Sequence, residues 1–204
     1  MRYFIELSYN GKDYHGWQNQ PNAVSVQEVL EKALSTLLRD EINIVGAGRT
    51  DAGVHAKQMH AHFDTDMEFS KVDLVYKLNS FLPKDIAIYK IVEVIKEAHA
   101  RFDALSRSYI YRISLTKNVF DYNYSYNFNL PLNIDMMNKA CKVLFEYKNF
   151  KCFSRSNTDV KTYNCNIMEA KWEQNNNKLT FYITANRFLR NMVRAIVGTM
   201  IEVG

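Results

Sequence analysis

The sequence predicts an α+β fold built from two similar halves. In residues 1–100, the spacing of apolar residues is typical of strands in some segments and of helices in others. The order of these segments is β-α-β-β-α-β, which is the ferredoxin-like unit. Residues 101–204 repeat a similar rhythm, although no sequence repeat links the two halves. Because no Pro-, Ser- or Gly-rich linker separates the halves, we expect one continuous sheet with a cleft.

The elements of the first half follow from side-chain alternation and helix signals. Residues 2–9 alternate as a strand, and Ser25-x-x-Glu28 forms a capping box that begins a helix. Pro83 marks the end of the second helix. The predicted elements are a strand at 2–9, a helix at 25–39, strands at 42–45 and 59–64, a helix at 70–81 and a strand at 86–94.

The second half also contains segments whose apolar residues have the spacing of strands or of helices. Four strands and two helices are predicted, and residues 174–177 form the turn between the last two strands. The predicted elements are strands at 107–115 and 124–128, a helix at 134–145, strands at 162–173 and 179–185, and a helix that starts near Phe188.

Composition indicates a soluble cytoplasmic protein with an uneven charge distribution. The apolar runs are far shorter than the roughly 20 residues needed to span a bilayer, so no membrane association is expected. Residues 1–100 hold 11 Lys and Arg against 14 Asp and Glu, a net charge of −3, whereas residues 101–204 carry +7. The second half is therefore the better candidate for contact with a polyanion.

A glycine-rich loop presents the first candidate for chemistry. Residues 46–53 contain three glycines, with Arg49 and Asp51 two positions apart. A dinucleotide-binding loop needs glycine where Asp51 stands, and a P-loop needs Gly-Lys-Ser/Thr, so neither phosphate-binding motif fits. A tight turn remains, in which Asp51 either makes a structural Asx-type hydrogen bond or displays a carboxylate for catalysis.

Basic and aromatic residues of the second half form two further candidate sets. Arg187, Arg190 and Arg194 are predicted to share one face of the last helix, and Arg194 lies at the edge of its apolar stripe. Tyr109 and its neighbours share a strand face that either stacks bases or packs into a sheet core. That face contains Arg107, Tyr109, Tyr111 and Ile113.

Metal and disulfide chemistry are not expected. His60 and His62 share a strand face, but no cysteine or second acidic ligand has suitable spacing for a metal site. The three cysteines are an odd number without close pairs, which is typical of reduced thiols.

Several co-linear motifs are similar to those of the tRNA pseudouridine synthase (TruA) family. The loop Gly46-Ala-Gly-Arg-Thr-Asp-Ala-Gly-Val-His55 resembles the family's signature, and the other motifs are spread over nearly all 204 residues. They are Tyr9-Asn-Gly-Lys-Asp-Tyr-His-Gly-Trp-Gln18, Ser25-Val-Gln-Glu-Val-Leu-Glu-Lys-Ala-Leu34, Asn79-Ser-Phe-Leu-Pro-Lys-Asp-Ile86, Ala98-His-Ala-Arg-Phe102, Arg107-Ser-Tyr-Ile-Tyr111 and Phe188-Leu-Arg-Asn-Met-Val-Arg-Ala-Ile-Val-Gly198.

The resemblance implies a fold and an activity. The fold would be that of pseudouridine synthases, a mostly antiparallel sheet with a central active-site cleft and helices on the outer face. The activity would be the isomerisation of uridine to pseudouridine in the anticodon stem-loop of tRNA, at positions 38 to 40. No cofactor would be needed, because no atoms enter or leave, and the family's members are homodimers.

The resemblance also assigns roles to four residues. Asp51 would be the catalytic carboxylate, acting on a uridine that has left its stack either by attack on C1′ or by abstraction of a ribose proton. Tyr109 would stack on the uracil, Arg49 would hold the nucleotide backbone, and Arg194 would form a supporting ion pair with Asp51. The sequence leaves the two mechanisms open.

These roles divide the chain into two functional parts. Residues 1–100 would carry the aspartate loop, and residues 101–204 would be the basic half with the Tyr and Arg motifs. Family members continue for a few dozen residues and add a further strand, so either the sequence is truncated after Gly204 or that strand is dispensable.

Two other functions make different demands on the sequence. A non-catalytic RNA-binding module would use the basic half and give Asp51 only a turn role. A zinc nucleobase deaminase needs His-x-Glu and Pro-Cys-x-x-Cys, and neither motif occurs.

Overall fold

A computed structural model describes residues 1–156 and 160–204 of the chain. They form two compact units, Met1–Ala104 and Leu105–Gly204, each with its own hydrophobic core. Each unit combines helices with a mostly antiparallel four-stranded sheet, so the predicted α+β class is confirmed. The hydrogen bonds place the strands in two sheets rather than in the one continuous sheet that we expected. In the described part of the chain, no helix has the length and apolar character needed to cross a bilayer.

The first unit is a ferredoxin-like fold. Its sheet has the order β2-β3-β1-β4, and every pair of neighbouring strands is antiparallel. The two helices connect β1 to β2 and β3 to β4, as the sequence predicts. The elements are β1 (Arg2–Tyr9), α1 (Val26–Leu38), β2 (Ile44–Gly46), β3 (Ala56–Asp64), α2 (Lys71–Phe81) and β4 (Ile86–Val94).

The core of this unit follows directly from the alternation in β1. Tyr3, Ile5, Leu7 and Tyr9 are buried under the two helices, while the residues between them face away. The hydroxyl of Ser25 accepts a hydrogen bond from the Glu28 amide, which confirms the predicted N-cap of α1.

The second unit repeats this arrangement. Its elements are β5 (Arg107–Ser114), β6 (Tyr126–Asn127), α3 (Ile134–Val143), β7 (Ile167–Asn175), β8 (Lys178–Ala185) and α4 (Met192–Val203). Strands β7, β8 and β5 are adjacent in that order, as β2, β3 and β1 are in the first unit. The short β6 pairs in parallel with the last two residues of β5. Two short 3₁₀ turns, Leu144–Glu146 and Lys151–Phe153, follow α3.

Three predicted boundaries in the second unit were wrong. The strand predicted at 124–128 has only two residues, and the strand predicted to start at 162 begins at Ile167. The last helix begins at Met192 instead of near Phe188, because Asn191 takes a left-handed conformation with φ +66° at its N-cap. Asparagine tolerates this conformation better than most residues, and it interrupts the helical path.

Candidate active site

The aspartate loop, residues 47–55, connects β2 to β3 and is held by the backbone of the loop after β1. The amide of Trp17 donates to the carbonyl of Thr50 (3.3 Å), and the amide of Gly53 donates to the carbonyl of Tyr14 (3.2 Å). The amide of Gly11 donates to Nδ1 of His55 (3.0 Å). These contacts fix the loop on both sides of Asp51.

Two glycines of the β1 loop permit this close approach. A Cβ atom at Gly16 would lie 2.3 Å from the Thr50 carbonyl oxygen, and φ at Gly16 is +93°. A Cβ atom at Gly11 would lie 2.0 Å from the Val54 carbonyl oxygen. Any side chain at either position would displace the backbone of the aspartate loop.

Side chains from the core add support beneath the loop. The hydroxyls of Tyr9 and Thr50 are 2.9 Å apart, so one donates to the other, and the ring of Tyr9 is buried. The buried Tyr14 donates its hydroxyl to Asp85 (2.8 Å), and burial followed by this carboxylate raises the pKa of Tyr14. Trp17 is buried against Gly46, at the end of β2.

Asp51 itself is exposed, and its backbone rather than its carboxylate closes the turn. The Val54 amide donates to the Asp51 carbonyl (3.2 Å), and Gly53 supplies the positive φ (+76°) that a type II turn requires at its third residue. Within residues 1–104, the Asp51 carboxylate makes no hydrogen bond and no ion pair. The turn therefore forms without an Asx-type bond, which leaves the carboxylate available for other chemistry.

Arg49 is also exposed, two residues before Asp51. Within residues 1–104 its guanidinium makes no ion pair. The loop therefore exposes one cation and one anion to solvent, two residues apart in sequence.

In the second unit, the predicted face of β5 lies against the second hydrophobic core. Tyr109 and Tyr111 are half-buried at the margin of the second core, opposite Ile183 and Phe181 of β8. The ring of Tyr109 meets the ring of Phe188 edge to face, with centroids 5.0 Å apart. The two tyrosines thus pack in the core and keep part of each side chain accessible.

Arg194 lies on α4 and is exposed, although the sequence puts it at the edge of the apolar stripe. It is close enough to Tyr111 for its charge to act there: burial raises the pKa of Tyr111, and Arg194 opposes the rise. The predicted basic face of the last helix was wrong, because Arg187 and Arg190 precede α4. Only Arg194 of the three is helical.

The histidines of β3 serve the fold. His62 is buried, and its Nδ1 accepts a hydrogen bond from the Ala100 amide (3.2 Å). His60 lies 3.9 Å from Glu6 on the same face of the sheet. In the described residues, no three His, Cys, Asp or Glu side chains are grouped as a metal site would need.

Sequence reasoning missed the residues that support the aspartate loop. Tyr9, Tyr14, Gly16 and Trp17 lie more than thirty positions before the loop that they contact. The segment 9–18 was noted only for its resemblance to a family motif. Its two glycines beside three large aromatic residues were the available signal, because such a pattern is typical of close backbone approach.

Comparison with known proteins relates the chain to one family. The family model described as tRNA pseudouridine synthase matches residues 7–103 and 140–204, so β5 and the segment after it fall between the matched parts. A protein of Parabacteroides distasonis named tRNA pseudouridine synthase A is 56% identical over the whole chain, which covers 81% of that relative.

More distant relatives carry the same name. The tRNA pseudouridine synthase A of Bacteroides fragilis is 54% identical over the whole chain, which covers 82% of it. That of Clostridium acetobutylicum is 39% identical over 98% of the chain, which covers 83% of that relative. With most of the chain matched at this level, the chain belongs to the tRNA pseudouridine synthase family.

Proposed function

We propose that this protein isomerises uridine to pseudouridine in tRNA, at positions 38 to 40 of the anticodon stem-loop, with Asp51 as its catalytic carboxylate. One observation carries the proposal. In a chain of this family, the aspartate loop is fixed by backbone contacts on both sides of Asp51, while the carboxylate makes no bond within its own unit. Such a group is held in place yet available to a substrate.

The reaction needs a carboxylate and no cofactor. The bond between N1 of uracil and C1′ of ribose breaks, the base turns, and a new bond forms between C5 and C1′. C5 loses its proton and N1 gains one, so the product is an isomer of the substrate. Asp51 either attacks C1′ as a nucleophile or removes a ribose proton to give a glycal, and either route requires an ionised carboxylate.

Three other residues support this chemistry in the proposal. Tyr109 stacks on the uracil with the accessible part of its ring, and its hydroxyl helps to remove the C5 proton. Arg194 supplies the positive charge that orients the Asp51 carboxylate, since it has no ion-pair partner within residues 105–204 described by the structure. Arg49 holds the nucleotide backbone beside the loop.

The target uridine must leave its stack for its sugar to reach Asp51, so base flipping is part of the proposal. We also infer a cytoplasmic homodimer, as expected for a tRNA-modifying enzyme of this family. The net charge of +7 in residues 101–204 favours that half as the larger contact with RNA.

The test is release of tritium from tRNA labelled at C5 of uridine, followed by mapping of pseudouridine in the product. We expect tritium release and new pseudouridine at positions 38 to 40. Tight tRNA binding without tritium release would identify a non-catalytic RNA-binding module. Release with pseudouridine at other positions would retain the activity and refute the proposed target.

A further inference from the structure

An unusual row of aromatic side chains follows β5. Four of the seven residues from 120 to 126 are aromatic and occupy alternate positions, and we call this stretch the aromatic segment. Phe120 is 89% exposed and Tyr122 is 71% exposed, and Tyr124 and Tyr126 are also exposed. Large apolar surface in water is unfavourable, so a cluster of this kind suggests a binding surface.

The segment forms a turn that is held by hydrogen bonds and an ion pair. The Asp121 carbonyl accepts from the amides of Tyr124 (2.9 Å) and Ser125 (3.0 Å), and from the Ser125 hydroxyl. The Asp121 carboxylate accepts from the side-chain amide of Asn118 (3.1 Å) and pairs with Lys178 (2.5 Å) on β8. The rings are therefore presented by a fixed backbone, which reduces the entropy lost on binding.

The charges around the segment suit a polyanion. Asp121 is the only acidic residue between positions 104 and 134 of the sequence, and Lys178 neutralises it. Arg112 and Lys117 are exposed in the same stretch. Aromatic rings beside exposed cations are typical of surfaces that bind single-stranded nucleic acid.

The segment is also continuous with the proposed substrate residues of its own unit. Tyr126 pairs with Ile113 at the end of β5, two residues after Tyr111. Burial raises the pKa of Tyr111, and the charge of Arg194 on α4 opposes the rise. Tyr109 shares the strand face of Tyr111. Tyr126 therefore joins the aromatic segment to the strand that carries Tyr109.

We propose that the aromatic segment binds unpaired nucleotides of the tRNA substrate, with Phe120 and Tyr122 stacking on bases. The inference rests on the proposed function for its choice of RNA. Stacking is tolerant of sequence because every base has a π-face, so the segment would hold loop nucleotides whatever their identity. It lies outside the parts of the chain that match the family model.

The experiment compares two RNAs of equal length: an anticodon stem-loop and a fully paired duplex. Dissociation constants are measured by fluorescence anisotropy for the full chain and for the Phe120→Ala/Tyr122→Ala double variant. We expect the double variant to bind the stem-loop about 5- to 100-fold more weakly, the range of one stacked base or more. Duplex binding should stay within about twofold, since a duplex offers no unstacked bases.

Two controls separate stacking from general damage. Val119→Ala removes an exposed apolar side chain (63% exposed) from the same turn without removing a ring, and should leave both dissociation constants unchanged. Tyr76→Ala removes an equally exposed tyrosine (74%) from α2 of the other unit and should do the same. Tyr122→Phe, made with Phe120 unchanged, keeps both rings and should retain stem-loop binding.

Several results would overturn the inference. They are unchanged stem-loop binding in the double variant, equal weakening for both RNAs, or a change of oligomeric state by analytical ultracentrifugation, which would assign the segment to a second copy of the chain. Failure of the proposed function is distinguishable, because tritium release that persists in Asp51→Ala would refute it while leaving these binding constants intact.

Discussion

The position of the Asp51 carboxylate depends on the backbone of its neighbours. Two hydrogen bonds hold Thr50. Its carbonyl accepts from the Trp17 amide, and its hydroxyl is bonded to the hydroxyl of Tyr9. Gly53 provides the positive φ on the other side. The glycine pattern predicted the tight turn around Asp51. The residues that hold this turn were not predictable, because hydrogen bonds between distant segments leave no periodic signal.

The Thr50 hydroxyl gives the first prediction. Thr50→Val should lower kcat about fivefold with little change in KM for tRNA, since loss of one hydrogen bond of about 1 kcal/mol leaves the loop less well placed. Thr50→Ser keeps the hydroxyl and should restore kcat. Steady-state tritium release measures both, and equal rates in Thr50→Val and Thr50→Ser would show that the hydroxyl does not position Asp51.

Tyr109 gives a second prediction that separates stacking from proton transfer. Tyr109→Phe should keep tRNA binding and lower kcat about 100-fold, within the usual range for a positioned proton-transfer group. Tyr109→Ala should also weaken binding and stability, because its ring packs against Phe188. Single-turnover rates and tRNA dissociation constants measure the two effects. An unchanged rate in Tyr109→Phe would restrict this residue to stacking.

At the scale of elements, the strands of the first unit were predictable and the start of α4 was not. Strict alternation in β1 shows one buried face, and the observed burial follows it. Leu189 packs in the second core as the helical pattern predicted, but it does so from the segment that precedes α4. Apolar periodicity reports burial, and a single left-handed residue such as Asn191 changes the backbone without changing that pattern.

The buried side chain of His62 is expected to make the stability of the protein depend on pH. Burial, the charge of Arg2 and the proximity of His99 lower the pKa of His62, whereas Asp64 and Asp103 oppose the change. A depressed histidine pKa means that the unfolded chain binds the proton more tightly. Stability from this group is therefore complete above the ordinary value of 6.5 and is lost as pH falls below it.

Urea denaturation at pH 7, 6 and 5 tests this dependence. The free energy of unfolding should fall more steeply towards pH 5 in the natural protein than in His62→Gln, which cannot gain the proton. His15→Gln, which removes an exposed imidazole, is the matched control and should keep the natural slope. Identical slopes in the natural protein and His62→Gln would refute the role assigned to this histidine.

At the scale of the whole molecule, the two units share one arrangement of strands without sharing a sequence repeat. The order β2-β3-β1 in one corresponds to β7-β8-β5 in the other. The spacing of apolar residues in each element was enough to suggest this similarity. Pairing between strands, however, depends on contacts between residues that are distant in sequence. The division into two sheets was therefore not predicted. The proposed roles come from both units, with Asp51 in the first and Tyr109 and Arg194 in the second.

Arg194 tests whether the two units act together. Arg194→Ala should lower kcat about 10- to 100-fold, the effect of losing a charged partner, while tRNA binding changes less. Arg190→Ala removes another exposed arginine just before α4 and should leave kcat within about twofold. A fully active Arg194→Ala variant, measured by tritium release at saturating tRNA, would show that Asp51 does not depend on this charge.

The central claim is that the Asp51 carboxylate performs the reaction, and Asp51→Asn tests it most directly. This change keeps the size of the side chain and the backbone turn, and removes only the charge and basicity. We predict no detectable tritium release from C5-labelled tRNA over many turnover times of the natural enzyme, with a tRNA dissociation constant within about threefold. Sustained release by Asp51→Asn or Asp51→Ala, with pseudouridine in the product, would contradict the account.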